Sequence, residues 1–123
     1  MKKVFVILLA ASACAGCSVF EAVGTGAPVY DVAVTVSKSG ELKSALYAAA
    51  ARRKWKVSEV GGEVYRLEIV QRANRCVIEV TLKGDDSFSI LPVESNIPVR
   101  KYNQWVDNLR REILHRVRNG ARD

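Results

Sequence analysis

Histidine occurs once in this chain, cysteine and proline three times each, and methionine only at position 1. Each scarcity removes a class of chemistry. Cys14 and Cys17 fall in the first 17 residues, which leaves Cys76 and His115 as the soft ligands downstream. A structural zinc site takes four Cys or His ligands at recognisable spacings. This pair is far apart and alone, so no metal and no cofactor is expected. The serines lie outside any nucleophile-elbow pattern, and no glycine-rich loop is present to cradle a phosphate. An apolar run of about 20 residues, the length a membrane-spanning helix needs, is missing too. The run from Val4 to Ala11 yields to small residues, so a lasting span is not expected. Lys and Arg number 19 against 13 Asp and Glu, basic but without a block of like charge. No nucleic-acid-binding module is recognisable.

The chain opens MKKVFVILLAASACAGC. Lys2 and Lys3 precede the apolar stretch and small residues follow it, the three-part form of a secretory signal. C-x-x-C reads as a redox motif when it follows a strand in a βαβ unit; here it follows a signal. A cysteine at the cleavage position resembles the lipobox of bacterial lipoproteins. The resemblance implies cutting within Ala15-Gly16-Cys17, before Cys17, whose thiol then carries a diacylglycerol. Cys14 stands where Leu is usual in that box, and Ala11-Ser12-Ala13-Cys14 is an alternative site behind a shorter signal. Ser18, rather than Asp, implies by the sorting of such lipoproteins the outer membrane, facing the periplasm. The several acyl chains these lipoproteins carry, palmitate among them, meet the requirement that stable anchoring takes more than one chain.

On this reading residues 1–16 are a signal peptide, 17–28 a lipidated tether, 29–118 a globular domain and 119–123 a flexible tail. Removing 16 of 123 residues leaves 107, enough for one small domain. Gly24, Gly26 and Pro28 interrupt the tether, which is expected to let the domain stand off the membrane.

Within the domain, alternation from Tyr30 to Val36 predicts a half-buried strand with Tyr30, Val32, Val34 and Val36 on one side. Ser39 offers an N-cap oxygen and Glu41 suits the first helical turn. From Leu42 to Lys54 the Ala-rich run predicts a helix with Leu42, Ala45, Leu46 and Ala49 on its apolar face. Four strands follow. Trp55 to Val60 turns at Gly61-Gly62, Val64 to Arg72 turns at Ala73-Asn74-Arg75, a strand from Cys76 turns at Gly84-Asp85-Asp86, and the last ends near Pro92. Tyr65, Leu67, Ile69, Cys76, Ile78, Val80, Leu82, Phe88 and Ile90 take the inward register. Pro98 suits a helix start. Val99 to Arg118 carries the stripe Tyr102, Val106, Leu109, Ile113 and Val117, bordered by Trp105. The order β-α-β-β-β-β-α predicts an α+β two-layer sandwich, a mainly antiparallel sheet with both helices on one face.

The segment Tyr102-Asn103-Gln104-Trp105-Val106-Asp107-Asn108-Leu109, followed by Ile113, resembles the C-terminal signature of a family of small bacterial lipoproteins. Its members combine a lipobox, an Ala-rich helix ending in Trp, a β-meander and a YNxWVxNL helix. They often carry a His shortly before the Tyr, where this chain has Pro98-Val99-Arg100. The resemblance implies location and fold only, since the family has no assigned biochemical activity.

Among single residues, His115 is expected to face solvent, about 200° around the helix from Ile113. Cys76 reads as a small buried hydrophobe. Asp85 and Asp86 read as turn formers. Asn103 and Asn108 suit capping of neighbouring backbone or a polar surface. The basic groups Arg52, Arg53, Lys54 and Arg110, Arg111, Arg116, Arg118 read as solvated helix faces, or as a surface attracted to an envelope protein or an anionic envelope polymer. The expected function is therefore a non-enzymatic interaction or accessory domain, held at the membrane by its lipid anchor. The alternative is a small-ligand or anionic lipid/lipopolysaccharide-binding carrier in the periplasm.

Overall fold

Alternating apolar residues in the middle of the chain build a five-stranded sheet, and two amphipathic stripes cover one face of it. The computed structural model describes residues 22–35 and 40–119. Residues 1–21, with the expected signal and with Cys14 and Cys17, residues 36–39, with Val36 and Ser39, and residues 120–123 lie outside them. The strands are β1 (Val29–Ala33), β2 (Lys56–Gly61), β3 (Val64–Gln71), β4 (Asn74–Lys83) and β5 (Ser87–Ser95), with helices α1 (Glu41–Arg52) and α2 (Val99–Arg118). The sheet order is β1-β5-β4-β3-β2 and every pairing is antiparallel. This is the α+β architecture the sequence predicts.

The inward register holds through the meander. Tyr65, Leu67 and Ile69 from β3, Cys76, Ile78, Val80 and Leu82 from β4, and Phe88 and Ile90 from β5 are buried. They meet Leu42, Ala45, Leu46, Ala49 and Ala50 of α1 and Tyr102, Val106, Leu109, Ile113 and Val117 of α2 in one cluster. Burial of each large aliphatic or aromatic side chain contributes about 1.5–3 kcal/mol. The opposite sheet face mixes ion pairs with apolar side chains, among them Val70 and Leu91. Arg66 lies 2.7 Å from Glu79 across β3 and β4. Arg75 lies 2.5 Å from Glu68 and also bonds Glu94 on the far strand.

Local geometry departs from expectation at the strand ends. Tyr30 was expected to point inward with Val32 but is 65% exposed. The pairing to β5 shifts register between Val29 and Val32, and Asp31 takes a positive φ of 45°. One extra residue in the strand turns Tyr30 out of the alternation. The β2–β3 turn falls one residue later than expected, at Gly62 and Glu63, with φ of 60° and 68°. Both central residues of a tight hairpin turn of this hand need positive φ, and Gly61 becomes a bulge before it. The β3–β4 turn falls earlier, at Arg72 and Ala73, so Asn74 and Arg75 are already in β4. β5 runs past Pro92 to Ser95 because a register shift between Val77 and Ile78 accommodates the proline. The expected cap Ser39 lies outside the described residues. Gly40 holds the N-cap position of α1 in the left-handed region, and its N–H donates to Asp85 Oδ1 at 3.2 Å.

Candidate functional site

The first site feature is a segment that the sequence assigns to a free tether. Ala22 to Pro28 instead runs along the start of α2. Val23 forms an antiparallel bridge with Pro98. Gly24 N–H donates to the Ile97 carbonyl at 3.0 Å, and Val99 N–H donates to the Ala22 carbonyl at 2.6 Å. A helix leaves its first four N–H groups without intrahelical partners, and here the strap takes one of them. The Asn103 side chain then accepts from Ala27 N–H at 3.0 Å, so this asparagine caps loop backbone, one of the two roles the sequence allowed it. Gly26 passes so close that a Cβ there would lie 2.0 Å from Asn103 Oδ1 and 2.6 Å from Tyr102 Cδ1. The tether expected over 17–28 is thus docked from Ala22 onward. Helix capping and the missing Gly26 side chain are the physical reasons.

The basic residues separate into different environments. Arg110 and Arg111 both reach Asp107, at 2.7 Å each. The hydrogen bond from Arg110, with the two guanidinium charges, holds the Asp107 carboxyl below the usual range. Arg116 was expected on an exposed surface, yet it is only 6% exposed. Its Nε lies 3.0 Å from Glu112 Oε2, and Arg53 lies 3.5 Å from the other oxygen of the same carboxylate. The residue follows the inward turn of α2 between Ile113 and Val117, where a buried cation needs a paired anion. Arg116 therefore leaves the candidate surface. Arg52, Arg53, Lys54, Arg111 and Arg118 remain exposed, and Arg110 is half-buried.

Three cations the sequence reading passed over stand near the strap. Arg100 and Lys101 are exposed in the first turn of α2, and Arg72 is exposed in the β3–β4 turn. Lys101 Nζ lies 5.9 Å from the centre of the Trp105 ring. Cations at a helix N-terminus oppose its dipole, and that mismatch was the signal available in the sequence. The convergence with Arg72 comes only from folding.

The single residues weighed in the sequence, Cys76, His115 and Asp85, take distinct environments. Cys76 is fully buried, and burial pushes its thiol up to about 12. A reactive cysteine needs exposure and a lowered pKa. His115 is exposed, as expected, and its ring lies beside the Asn119 amide. Asp85 accepts a backbone hydrogen bond in its turn. Among the described residues no group of three His, Cys, Asp or Glu is arranged to hold a metal ion. Nor is any helix among them long and apolar enough to cross a membrane. Between the helices and the end of β3 lies a cleft of about 150 Å³ lined by Arg53, Trp55, Ile69, Gln71, Trp105 and Asn108. Comparison of the chain with known protein families, with characterised proteins and with solved structures found no match.

Proposed function

We propose that the chain is a lipid-anchored accessory domain of a bacterial cell envelope that works by contact rather than by catalysis. The observation that carries this reading is the opening MKKVFVILLAASACAGC, a signal ending in a cysteine at its cleavage site. Cleavage before Cys17 leaves the folded domain on the far side of the membrane its signal targets, joined to lipid by a short segment. The outer sheet face and the exposed cations then offer contact surfaces for an envelope protein or an anionic envelope component. Two further observations support a non-enzymatic role. Cys76 is sealed in the core and His115 stands on the surface without a carboxylate to orient it among the described residues.

Metabolic labelling with palmitate, followed by mass spectrometry of the mature chain, tests the anchor. Label retained in Cys14→Ser and lost in Cys17→Ser is the expected result. Label lost only in Cys14→Ser moves the anchor, and an unlabelled chain that keeps Met1 refutes the reading.

The second reading, a small-ligand carrier, has one observation in its favour, the Trp-lined cleft. Pockets for drug-sized ligands are about 300–1,000 Å³, so at about 150 Å³ the cleft suits a small planar ligand and not a lipid tail.

A further inference from the structure

The register of the sheet sorts the loops onto two ends. Lys54 enters β2, Arg72 and Ala73 join β3 to β4, and β5 leaves through Ser95 to Pro98 at one end. Asn96 ties that end together, with its N–H on the Arg75 carbonyl and its amide on the Ala73 carbonyl. Gly62, Glu63 and the Gly84–Asp86 turn lie at the other end, where Asp85 also receives Gly40. The ten residues of β4 separate the two ends by about 30 Å.

Charge follows the same division. Arg52, Arg53, Lys54, Arg72, Arg100 and Lys101 lie toward the first end, and all are exposed. Glu68 and Glu94 at that end are both engaged by Arg75, and Glu112 faces Arg53 and Arg116. The far end carries Glu59, Glu63, Asp85 and Asp86, with Lys43 and Lys83 among them. The domain is therefore cationic at one end of its strands and predominantly anionic at the other.

The strap connects this asymmetry to the membrane. Ala22 is fixed to Val99 at the cationic end, and five residue steps separate it from Cys17. A fully extended chain covers at most about 18 Å in five steps. Ala22, at the cationic end, is thus held within about that distance of the Cys17 backbone, while the anionic end lies a further strand length away. We infer that the domain stands on an anionic lipid leaflet with its Arg72 and Lys101 end down, oriented by the docked strap and held there by headgroup charge. This rests on Cys17 being the lipidated residue. Trp105 beside Lys101 suits such a boundary, since Trp is enriched where membrane meets water. The acidic end, repelled by the same headgroups, is the part presented to the periplasm.

The test uses the mature lipidated chain reconstituted in phosphatidylethanolamine/phosphatidylglycerol vesicles that carry a headgroup-attached quencher. A fluorophore is placed through Gln104→Cys, next to Lys101, or through Asp86→Cys in the β4–β5 turn; Cys76 is buried and stays unlabelled. Strong quenching at position 104 and little at 86 is expected. The contrast should shrink in phosphatidylcholine vesicles, in Arg72→Glu/Lys101→Glu, and when eight Gly and Ser residues are inserted after Ser18. Equal quenching at the two positions, or more at 86, overturns the orientation. A contrast that survives the charge reversal overturns the electrostatic part and leaves the strap as the orienting device. Mass spectrometry of the same preparation separates the two readings. A chain without acyl groups overturns the anchor and this inference together, whereas an acylated chain with equal quenching overturns the orientation alone.

Discussion

Tyr102 lends itself to a substitution whose expected sign is unusual. Its ring is fully buried in the core, and among the described residues its hydroxyl has no hydrogen-bond partner. A buried hydroxyl without a partner costs about 1–3 kcal/mol. Tyr102→Phe keeps the ring and removes that cost, while the space vacated by one oxygen costs at most about 1 kcal/mol. The net expectation is a gain of about 1 kcal/mol. For a domain of this size that raises Tm by about 4–8 °C. Tyr102→Ala, which removes the ring as well, should cost about 3–5 kcal/mol. Alkaline pH adds a second readout. Burial holds the folded phenol well above its ordinary value near 10. A raised folded value means full stability below the unfolded value and progressive loss above it. The advantage of Tyr102→Phe should therefore widen above about pH 10. Urea and thermal denaturation of both variants measure these differences. A fall in Tm of several degrees for Tyr102→Phe would refute the reasoning, because it would show that the hydroxyl holds a stabilising bond.

Gly26→Ala places a methyl against Asn103 and the buried Tyr102 ring, so it should cost about 1–3 kcal/mol and open residues 22–27 to limited proteolysis; a protease-resistant strap in this variant would count against close docking. Arg116→Met leaves the Glu112 carboxylate, among the described residues, with the longer Arg53 contact and should cost about 3 kcal/mol, whereas Arg116→Met/Glu112→Leu should recover much of it; urea midpoints decide. For Asp107 the folded carboxyl titrates below its unfolded value near 3.9, so its stabilisation is complete above that pH and is lost as pH falls through the folded value. Being a surface pair on each arginine, it contributes about 0.3–0.5 kcal/mol per pair. Asp107→Asn should therefore be less stable at pH 7 and indistinguishable near pH 2 in chemical denaturation.

Period-2 and period-3.6 patterns were enough to place the seven elements of the described residues, because the bulkiest apolar side chains of the meander and of α2 turn to one face, although Val60, Val70, Leu91 and Val93 stay exposed. The stripe from Tyr102 to Val117 and the inward set from Tyr65 to Ile90 are visible by eye. Turn positions were less legible. Whether Gly61-Gly62 or Gly62-Glu63 forms the hairpin depends on which register buries Tyr65, and glycine at both positions hid the choice. Tyr30 misled for a similar reason, since a single extra residue reverses an alternation that composition cannot reveal. Arg116 was misplaced because a charged residue one step from Val117 looks solvent-facing until Glu112 and Arg53 are seen beside it. The strap was hidden altogether. Glycine and proline in residues 22–28 look like a spacer, and the Asn103 that secures it lies 76 positions away from Ala27. The cationic end was invisible for the same reason, assembled from three separate stretches of the chain.

The irregular first strand has a bearing on how copies of this molecule tolerate one another. β1 closes one side of the sheet, and there the Asp31 N–H is taken by the Ser89 hydroxyl at 2.9 Å while its carboxylate holds Lys83 at 2.5 Å. A flat strand in that place would offer a ladder of vacant donors and acceptors to any neighbour. Molecules tethered to a common plane collide far more often than molecules diluted in a volume, and they collide side on. If the proposed anchor sets these domains on a common plane, the kink and the charge pair at the rim blunt the edge along which such neighbours would pair.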